Sequence, residues 1–109
     1  MARKDFSYSE IPLDAIFAIG ENRLVRLVFE KAAVKALARM PAKRAAAVVA
    51  ALERIAHEPF ARHAKVKRLA GTKDGFRLRH GDWRALYYLA RAADQMVVVN
   101  IKTRGDAYK

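Results

Sequence analysis

Cysteine is absent from the 109 residues of this chain. Its absence excludes a disulfide framework, a cysteine-ligated zinc site and a thiol nucleophile. It is compatible with a reducing compartment, and we expect a cytoplasmic protein. Long hydrophobic runs are also lacking, because the first apolar stretch, Ile11–Ile19, is interrupted by Pro12 and Asp14. We therefore expect neither a secretory signal segment nor a membrane-spanning helix, and no membrane partner.

Acidic residues are few compared with basic ones: 22 Lys and Arg stand against 11 Asp and Glu, a formal net charge of +11. The excess is concentrated in residues 62–109, which hold 12 basic and 4 acidic side chains. A field of this sign attracts polyanions, although many basic surfaces serve solubility alone. Several of these arginines fall in strand-like segments rather than on exposed helix faces. This placement favours a nucleic-acid partner.

The length and the 53% hydrophobic content predict one folded domain with a single core. Residues 1–22 are interpreted as an N-terminal extension. Within it, Pro12–Ile19 is predicted to form a short helix that stops at Gly20. Residues 23–109 are predicted to form the domain itself, beginning with the apolar and β-branched strand Arg23–Phe29.

Two helices are predicted next, Glu30–Arg39 and Ala42–His57, separated by Pro41. Apolar residues recur at helical spacing along the second one and are predicted to form its buried stripe: Ala45, Val48, Val49, Leu52, Ile55 and Ala56. After an irregular basic link, three strands follow at Gly75–Arg79, Asp82–Leu89 and Met96–Lys102, and their short polar connections are typical of an antiparallel meander. The predicted fold class is α+β, with a helix hairpin packed on an antiparallel sheet in the order β-α-α-β-β-β. The helices cover one face of the sheet and leave the other partly open.

Aromatic residues divide between the two faces of this predicted sheet. Strand alternation places Trp83, Phe76 and Tyr87 in the core. Tyr88 is predicted to be exposed, and two interpretations stay open: a platform on which a base stacks or an ordinary tyrosine of the sheet face.

Basic side chains are predicted to gather on the open face. Because residues two apart in a strand point the same way, Arg77 and Arg79 project together. Arg84 follows the tight turn at His80-Gly81 and lies close to Arg79, while Arg104 and Tyr108 come after the last strand. Such like charges repel one another, which indicates an anionic ligand that neutralises them.

The chemistry that suits this cluster is phosphodiester cleavage. A guanidinium binds a phosphate through two parallel hydrogen bonds, and it also stabilises the dianionic transition state of cleavage. RNA supplies its own nucleophile, the 2′-OH, so no metal and no cofactor are expected. The enzyme has to align that oxygen, neutralise the phosphorane and assist the leaving 5′-oxygen.

The chain resembles the RelE/ParE toxin superfamily over residues 23–109. The matching features are the helix hairpin broken at Met40-Pro41, the segments KVKRLAG, GFRLR and GDWRALYYL, a valine-rich last strand, and a terminal TRGDAY. The resemblance implies a RelE-like fold and a toxin of a type II toxin–antitoxin system. It implies a metal-independent endoribonuclease that binds and cleaves mRNA on the ribosome and so inhibits translation. The implied partners are a cognate antitoxin protein, mRNA and the ribosome.

The resemblance also implies the site residues, carried over position by position: Arg77, Arg79, Arg84, Arg104 and Tyr108. The family often has lysines at the two strand positions, one of them assigned as the base that activates the 2′-OH, but both are arginines here. Arginine does not deprotonate in proteins, which leaves Tyr108 and His80 as candidates for the base. Further RNA contacts are expected from Lys65, Lys67, Arg68 and Lys102.

Two other functions fit the same sequence. One is a ParE-like DNA gyrase inhibitor with this fold and no nuclease chemistry, for which alanine at Arg84 or Tyr108 would not abolish toxicity. The other is a non-catalytic RNA-binding module. It would show salt-dependent affinity for RNA without forming a 2′,3′-cyclic phosphate.

Overall fold

The computed structural model describes residues 14–19 and 23–103. Across these residues the elements are β1 (Asp14–Ile19), β2 (Arg23–Phe29), α1 (Lys31–Arg39), α2 (Ala42–His57), β3 (Val66–Arg68), β4 (Gly75–His80), β5 (Trp83–Ala90) and β6 (Gln95–Thr103). The strands form one sheet in the order β1-β2-β6-β5-β4-β3. The predicted α+β class and the predicted helix hairpin are confirmed.

The helix hairpin turns at a single residue pair. Met40 adopts an extended backbone, and its N–H donates to the carbonyl of Leu37, while Pro41 caps the next helix. A residue before proline disfavours the helical region, so the sequence itself dictates the break. Every residue of the predicted apolar stripe of α2 is buried: Ala45, Val48, Val49, Leu52, Ile55 and Ala56. Among the described residues, no helix is long and apolar enough to cross a membrane.

The core lies between the hairpin and one face of the sheet. Its fully buried members include Leu27, Leu37, Leu52, Met96 and Val98. Burying a side chain of this size contributes about 1.5–3 kcal/mol. Tyr87 is also buried and stacks on Phe76 with ring centroids 5.4 Å apart, and Trp83 packs against the same cluster. Tyr88 is exposed. The predicted side of the sheet is confirmed for all four aromatic residues, with Phe76 and Trp83 half-buried against the core, while stacking of Tyr88 on a base stays a prediction.

The sheet is mixed rather than wholly antiparallel. β2 and β6 run parallel, from the pair Arg26–Gln95 to the pair Phe29–Val98. After β2 the helix hairpin crosses one face of the sheet, and β3 forms at the edge opposite β1. β4, β5 and β6 then follow in order back towards β2. β6 therefore becomes a central strand. Its run of three buried residues, Met96–Val98, fits a strand with a neighbouring strand on each side.

Two further strands extend the sheet beyond the predicted order. Pro12–Ile19 was predicted to be helical, and this is wrong for the part that the structure describes, since Asp14–Ile19 forms β1. All six of its residues pair with β2. The free edge of β2 offers unpaired backbone groups, and β-branched and aromatic residues suit pairing there: Ile16, Phe17 and Ile19. The link predicted to be irregular contains β3, which is antiparallel to β4.

Candidate nucleic-acid interface

A groove lined by cations opens on the sheet face away from the helices. It has a volume of about 630 Å³, and its walls come from β3, β4, β5 and the residues just before β3. The lining residues are Ala64, Lys65, Val66, Lys67, Arg77, Arg79, Gly81 and Arg84. Five of these eight side chains are cationic and none is acidic. We call this site the basic groove, and its composition makes it a site for anions.

The strand register sets the spacing of these cations. Arg79 lies directly opposite Arg84 on β5, and Lys67 on β3 lies directly opposite Arg77. Side chains in such pairs have Cβ atoms about 4.5–5.5 Å apart. The turn between β4 and β5 allows this close register because Gly81 has a positive φ of 61°. The sheet thus presents two rows of cations across three adjacent strands.

Arg84 differs from the other groove cations in being buried, with 4% of its surface exposed. Its Nη1 donates to the carbonyl oxygens of Gly81, at 3.2 Å, and Trp83, at 3.0 Å. Among the described residues no carboxylate pairs with it. These contacts hold the guanidinium in place without neutralising it. A fixed, desolvated cation of this kind interacts strongly with an anion that enters the groove.

Arg91 provides a contrast within the same basic half of the chain. Its guanidinium pairs with Asp74 at 3.0 Å and lies 4.5 Å above the centre of the Phe60 ring. The hydrogen bond from Arg91 lowers the pKa of the Asp74 carboxyl. This arginine therefore has the acidic partner expected of a structural residue, and the groove arginines have no such partner in the described part of the chain.

Replacing Arg79 by glutamine is expected to raise the stability of the free protein, because it removes repulsion between two directly opposed cations. The expected gain is about 0.2–1 kcal/mol at low ionic strength, and it shrinks as salt screens the repulsion. Urea unfolding at two salt concentrations measures both effects. A variant that is less stable than wild type at low salt would contradict the repulsion argument.

The predicted site residues do not all lie in the basic groove. Lys65 and Lys67 join Arg77, Arg79 and Arg84 in the basic groove. Arg68 does not line it, since its Nε and Nη2 donate to the carbonyl of Lys73 and tie β3 to the loop before β4. Lys102 lies opposite Arg84 in register but lines another cleft. Arg104 and Tyr108 lie outside the described residues.

His80, one of the two candidates for the base, does not line the basic groove. It lines a pocket of about 330 Å³ together with α2 residues that include Arg54 and Ile55, and its buried Nδ1 has no hydrogen-bond partner. Strand alternation could have shown this, because His80 shares the core face with Leu78. The primary amines of Lys65 and Lys67 were interpreted only as RNA contacts. Lys65 lies just before β3 and Lys67 within it, and their two-residue spacing was the signal that both belong to the groove.

The fold and the site together define a class of protein: a small α+β domain with a helix hairpin on one sheet face and a cation-lined groove on the other. Comparison with family models gives no match, and neither does comparison with curated proteins. Solved structures do match.

Three of these solved structures are complexes of RelE toxins. The chain is 28% identical to the archaeal RelE–RelB complex of Pyrococcus horikoshii over 74% of its own length and 96% of that chain, with a TM-score of 0.64. The chain shares 26% identity with the toxin–antitoxin complex RelBE2 of Mycobacterium tuberculosis, over 72% of its own length and 95% of that chain, with a TM-score of 0.59. The RelB–RelE complex of Methanococcus jannaschii shares 19% identity over 74% and 94%, with a TM-score of 0.61, which supports the fold. These similarities support the RelE-type toxin superfamily, which the sequence resembles.

Proposed function

We propose that this protein is the toxin of a type II toxin–antitoxin system and that it cleaves mRNA in the basic groove. The observation that carries the proposal is the groove itself, which holds five cations and no carboxylate. Three of the cations, Arg77, Arg79 and Arg84, occupy positions that the RelE resemblance assigns to the nuclease site. The similar solved structures are of toxins bound to antitoxins, which supports the toxin class.

The proposed reaction is an internal transesterification. The 2′-OH loses its proton and attacks the adjacent phosphorus, the bond to the 5′-oxygen breaks, and that oxygen takes up a proton. The products are a 2′,3′-cyclic phosphate and a 5′-hydroxyl. Arg77 and Arg79 hold the phosphate, and Arg84 stabilises the charge that develops on its oxygens, because its position is fixed before the RNA binds.

Proton transfer requires groups other than the arginines, which stay protonated. Tyr108 keeps the role of candidate base in this proposal, together with Arg104 as a further cation. Lys65 and Lys67 are the other groups that can exchange a proton, and both line the groove. The expected dependence on the ribosome follows from this arrangement, since a groove without a histidine or carboxylate among its described residues benefits from a substrate that is already aligned.

The proposed protein partner is a cognate antitoxin. The matched complexes of Pyrococcus horikoshii and Mycobacterium tuberculosis each pair a toxin with an antitoxin, and we extend this arrangement to the present chain. An acidic segment of the antitoxin laid over the basic groove would compete with RNA for the same cations. Such a segment gains affinity from charge complementarity and loses it as salt rises.

Incubating the purified protein with mRNA, alone and on programmed ribosomes, tests the nuclease proposal. We expect cleavage products that carry a 2′,3′-cyclic phosphate and a 5′-hydroxyl, and we expect the double variant Arg77→Ala/Arg79→Ala to form none. The exposed variant Arg62→Ala, which lies outside the groove, is the matched control. Salt-dependent binding without such products would favour the RNA-binding module. Inhibition of DNA gyrase without RNA cleavage would favour the ParE-like alternative.

A further inference from the structure

A second cleft lies where α1 runs beside the end of β6. β2 pairs with β6 only as far as Val98, so within the described residues the rest of β6 has no strand neighbour on that side, and α1 packs against β6. The cleft has a volume of about 510 Å³ and is lined by Ala32, Lys35, Ala36, Arg39, Asn100, Ile101 and Lys102. We call it the α1–β6 cleft. It is separate from the basic groove, and the reaction proposed above does not use it.

The lining of the α1–β6 cleft suits a nucleic-acid backbone. Lys35 and Arg39 are exposed and one helical turn apart, so both point along the same side of α1. Lys102 contributes a third cation from the strand, and no acidic residue lines the cleft. Two of the other lining residues are alanines, Ala32 and Ala36, whose small side chains leave room for a polymer. Three cations without counter-charges favour phosphates.

Asn100 adds hydrogen-bonding capacity to these charges. Its side-chain oxygen accepts the N–H of Ile101 at 2.8 Å, which satisfies a backbone donor that β2 does not reach. This contact fixes the side chain with its amide NH₂ group as a remaining donor. A fixed neutral donor next to cations suits a ribose hydroxyl or a phosphate oxygen.

The two sites are connected through one strand pair. Lys102 of the α1–β6 cleft lies directly opposite Arg84 of the basic groove. Their Cβ atoms are therefore separated by about 4.5–5.5 Å, as in any directly opposed antiparallel pair. A strand of RNA that leaves the basic groove past Arg84 meets Lys102 next, and then the cations of α1.

We propose that the α1–β6 cleft binds the backbone of single-stranded RNA that flanks the phosphate held in the basic groove. This inference depends on the proposed function, because it assumes that the groove receives RNA. The cleft adds affinity that grows with the length of the RNA and does not take part in bond breaking. It makes the interface longer than the catalytic groove, along a path from β4 across β6 to α1.

The test compares two 2′-O-methyl RNA oligonucleotides, which lack the nucleophile: a trinucleotide and a dodecanucleotide. Fluorescence anisotropy with wild type is expected to show tighter binding of the longer RNA. The variant Lys35→Ala/Arg39→Ala is expected to lose most of this difference while its affinity for the trinucleotide is unchanged. For the longer RNA, the slope of the logarithm of the binding constant against the logarithm of the salt concentration is also expected to be shallower in this variant. The slope changes by about 0.7 for each phosphate that the variant no longer neutralises.

The control is Lys43→Ala/Arg62→Ala, which removes the same charge from exposed positions that line neither site. This control is expected to keep the preference for the longer RNA. If Lys35→Ala/Arg39→Ala keeps it as well, the inference is wrong although the proposed function stands. If wild type binds neither oligonucleotide, the inference fails, and cleavage of mRNA on programmed ribosomes then decides whether the proposed function stands. Unchanged RNA binding with weaker antitoxin binding would assign the cleft to the protein partner and overturn the inference.

Discussion

Replacing Arg84 by alanine is expected to slow single-turnover RNA cleavage by about 10²–10³-fold, the usual cost of removing one preorganised donor to a developing charge. The expectation follows from three properties of this side chain. It is buried, it is held by the carbonyls of Gly81 and Trp83, and no carboxylate among the described residues neutralises it. Arg84→Lys is expected to recover only part of the rate, because an ammonium keeps the charge but not the planar fork.

The folding of the Arg84 variants has to be checked, since alanine leaves two carbonyls without this donor at a cost of about 1 kcal/mol each. Far-UV circular dichroism and thermal melting distinguish this loss from a catalytic one. Arg62→Ala serves as the control for the removal of one positive charge. A cleavage rate close to wild type in folded Arg84→Ala would remove Arg84 from the proposed mechanism.

Tyr87→Ala is expected to have the largest effect on stability, a loss of about 3–5 kcal/mol, as for other large aromatic residues in cores. Tyr87 is fully buried and stacks on Phe76, so its ring joins β4 to β5 beneath the basic groove. Tyr87→Phe keeps the ring and the stacking, and it is expected to be close to wild type in stability and cleavage at neutral pH. Urea unfolding and single-turnover cleavage measure both variants.

The pH dependence of the same pair provides a second measurement. Burial raises the pKa of the Tyr87 phenol above its ordinary value. Above about pH 10 the unfolded chain releases this proton while the folded chain retains it, so the free energy of unfolding falls as pH rises. Tyr87→Phe is expected to lose less stability than wild type over that range. An equal loss in both proteins would mean that another group causes the alkaline destabilisation.

Local patterns in the sequence were sufficient for much of the fold. The period of α2 identified its buried stripe, Pro41 marked the hairpin, and alternation in β5 separated Tyr87 from Tyr88. The tight turn at His80-Gly81 placed Arg84 close to Arg79, which was the central feature of the predicted site. These features could be predicted because each depends on residues that are close together in the chain.

The features that could not be predicted depend on distant partners. β1 forms on the free edge of β2, so a segment with helix-like boundaries became a strand. The parallel pairing of β2 with β6 joins segments that are separated in sequence by about two thirds of the chain length. No pattern within either segment predicts this pairing. Arg68 was expected to contact RNA because it is basic. Its position is set by the Lys73 carbonyl, whose location depends on the loop that follows β3.

The central position of β6 has a consequence for the order of events during synthesis. β6 is the last strand in chain order, yet it is the only link between β1–β2 and β3–β5 in the described sheet. Before residues 95–103 leave the ribosome, the two groups of strands have no common neighbour, and the helix hairpin lacks the middle of the surface on which it packs. Long-range pairings of this kind form late and slowly. A nascent chain that lacks β6 therefore has an incomplete sheet. During the interval before β6 inserts, a binding partner can contact this incompletely folded chain.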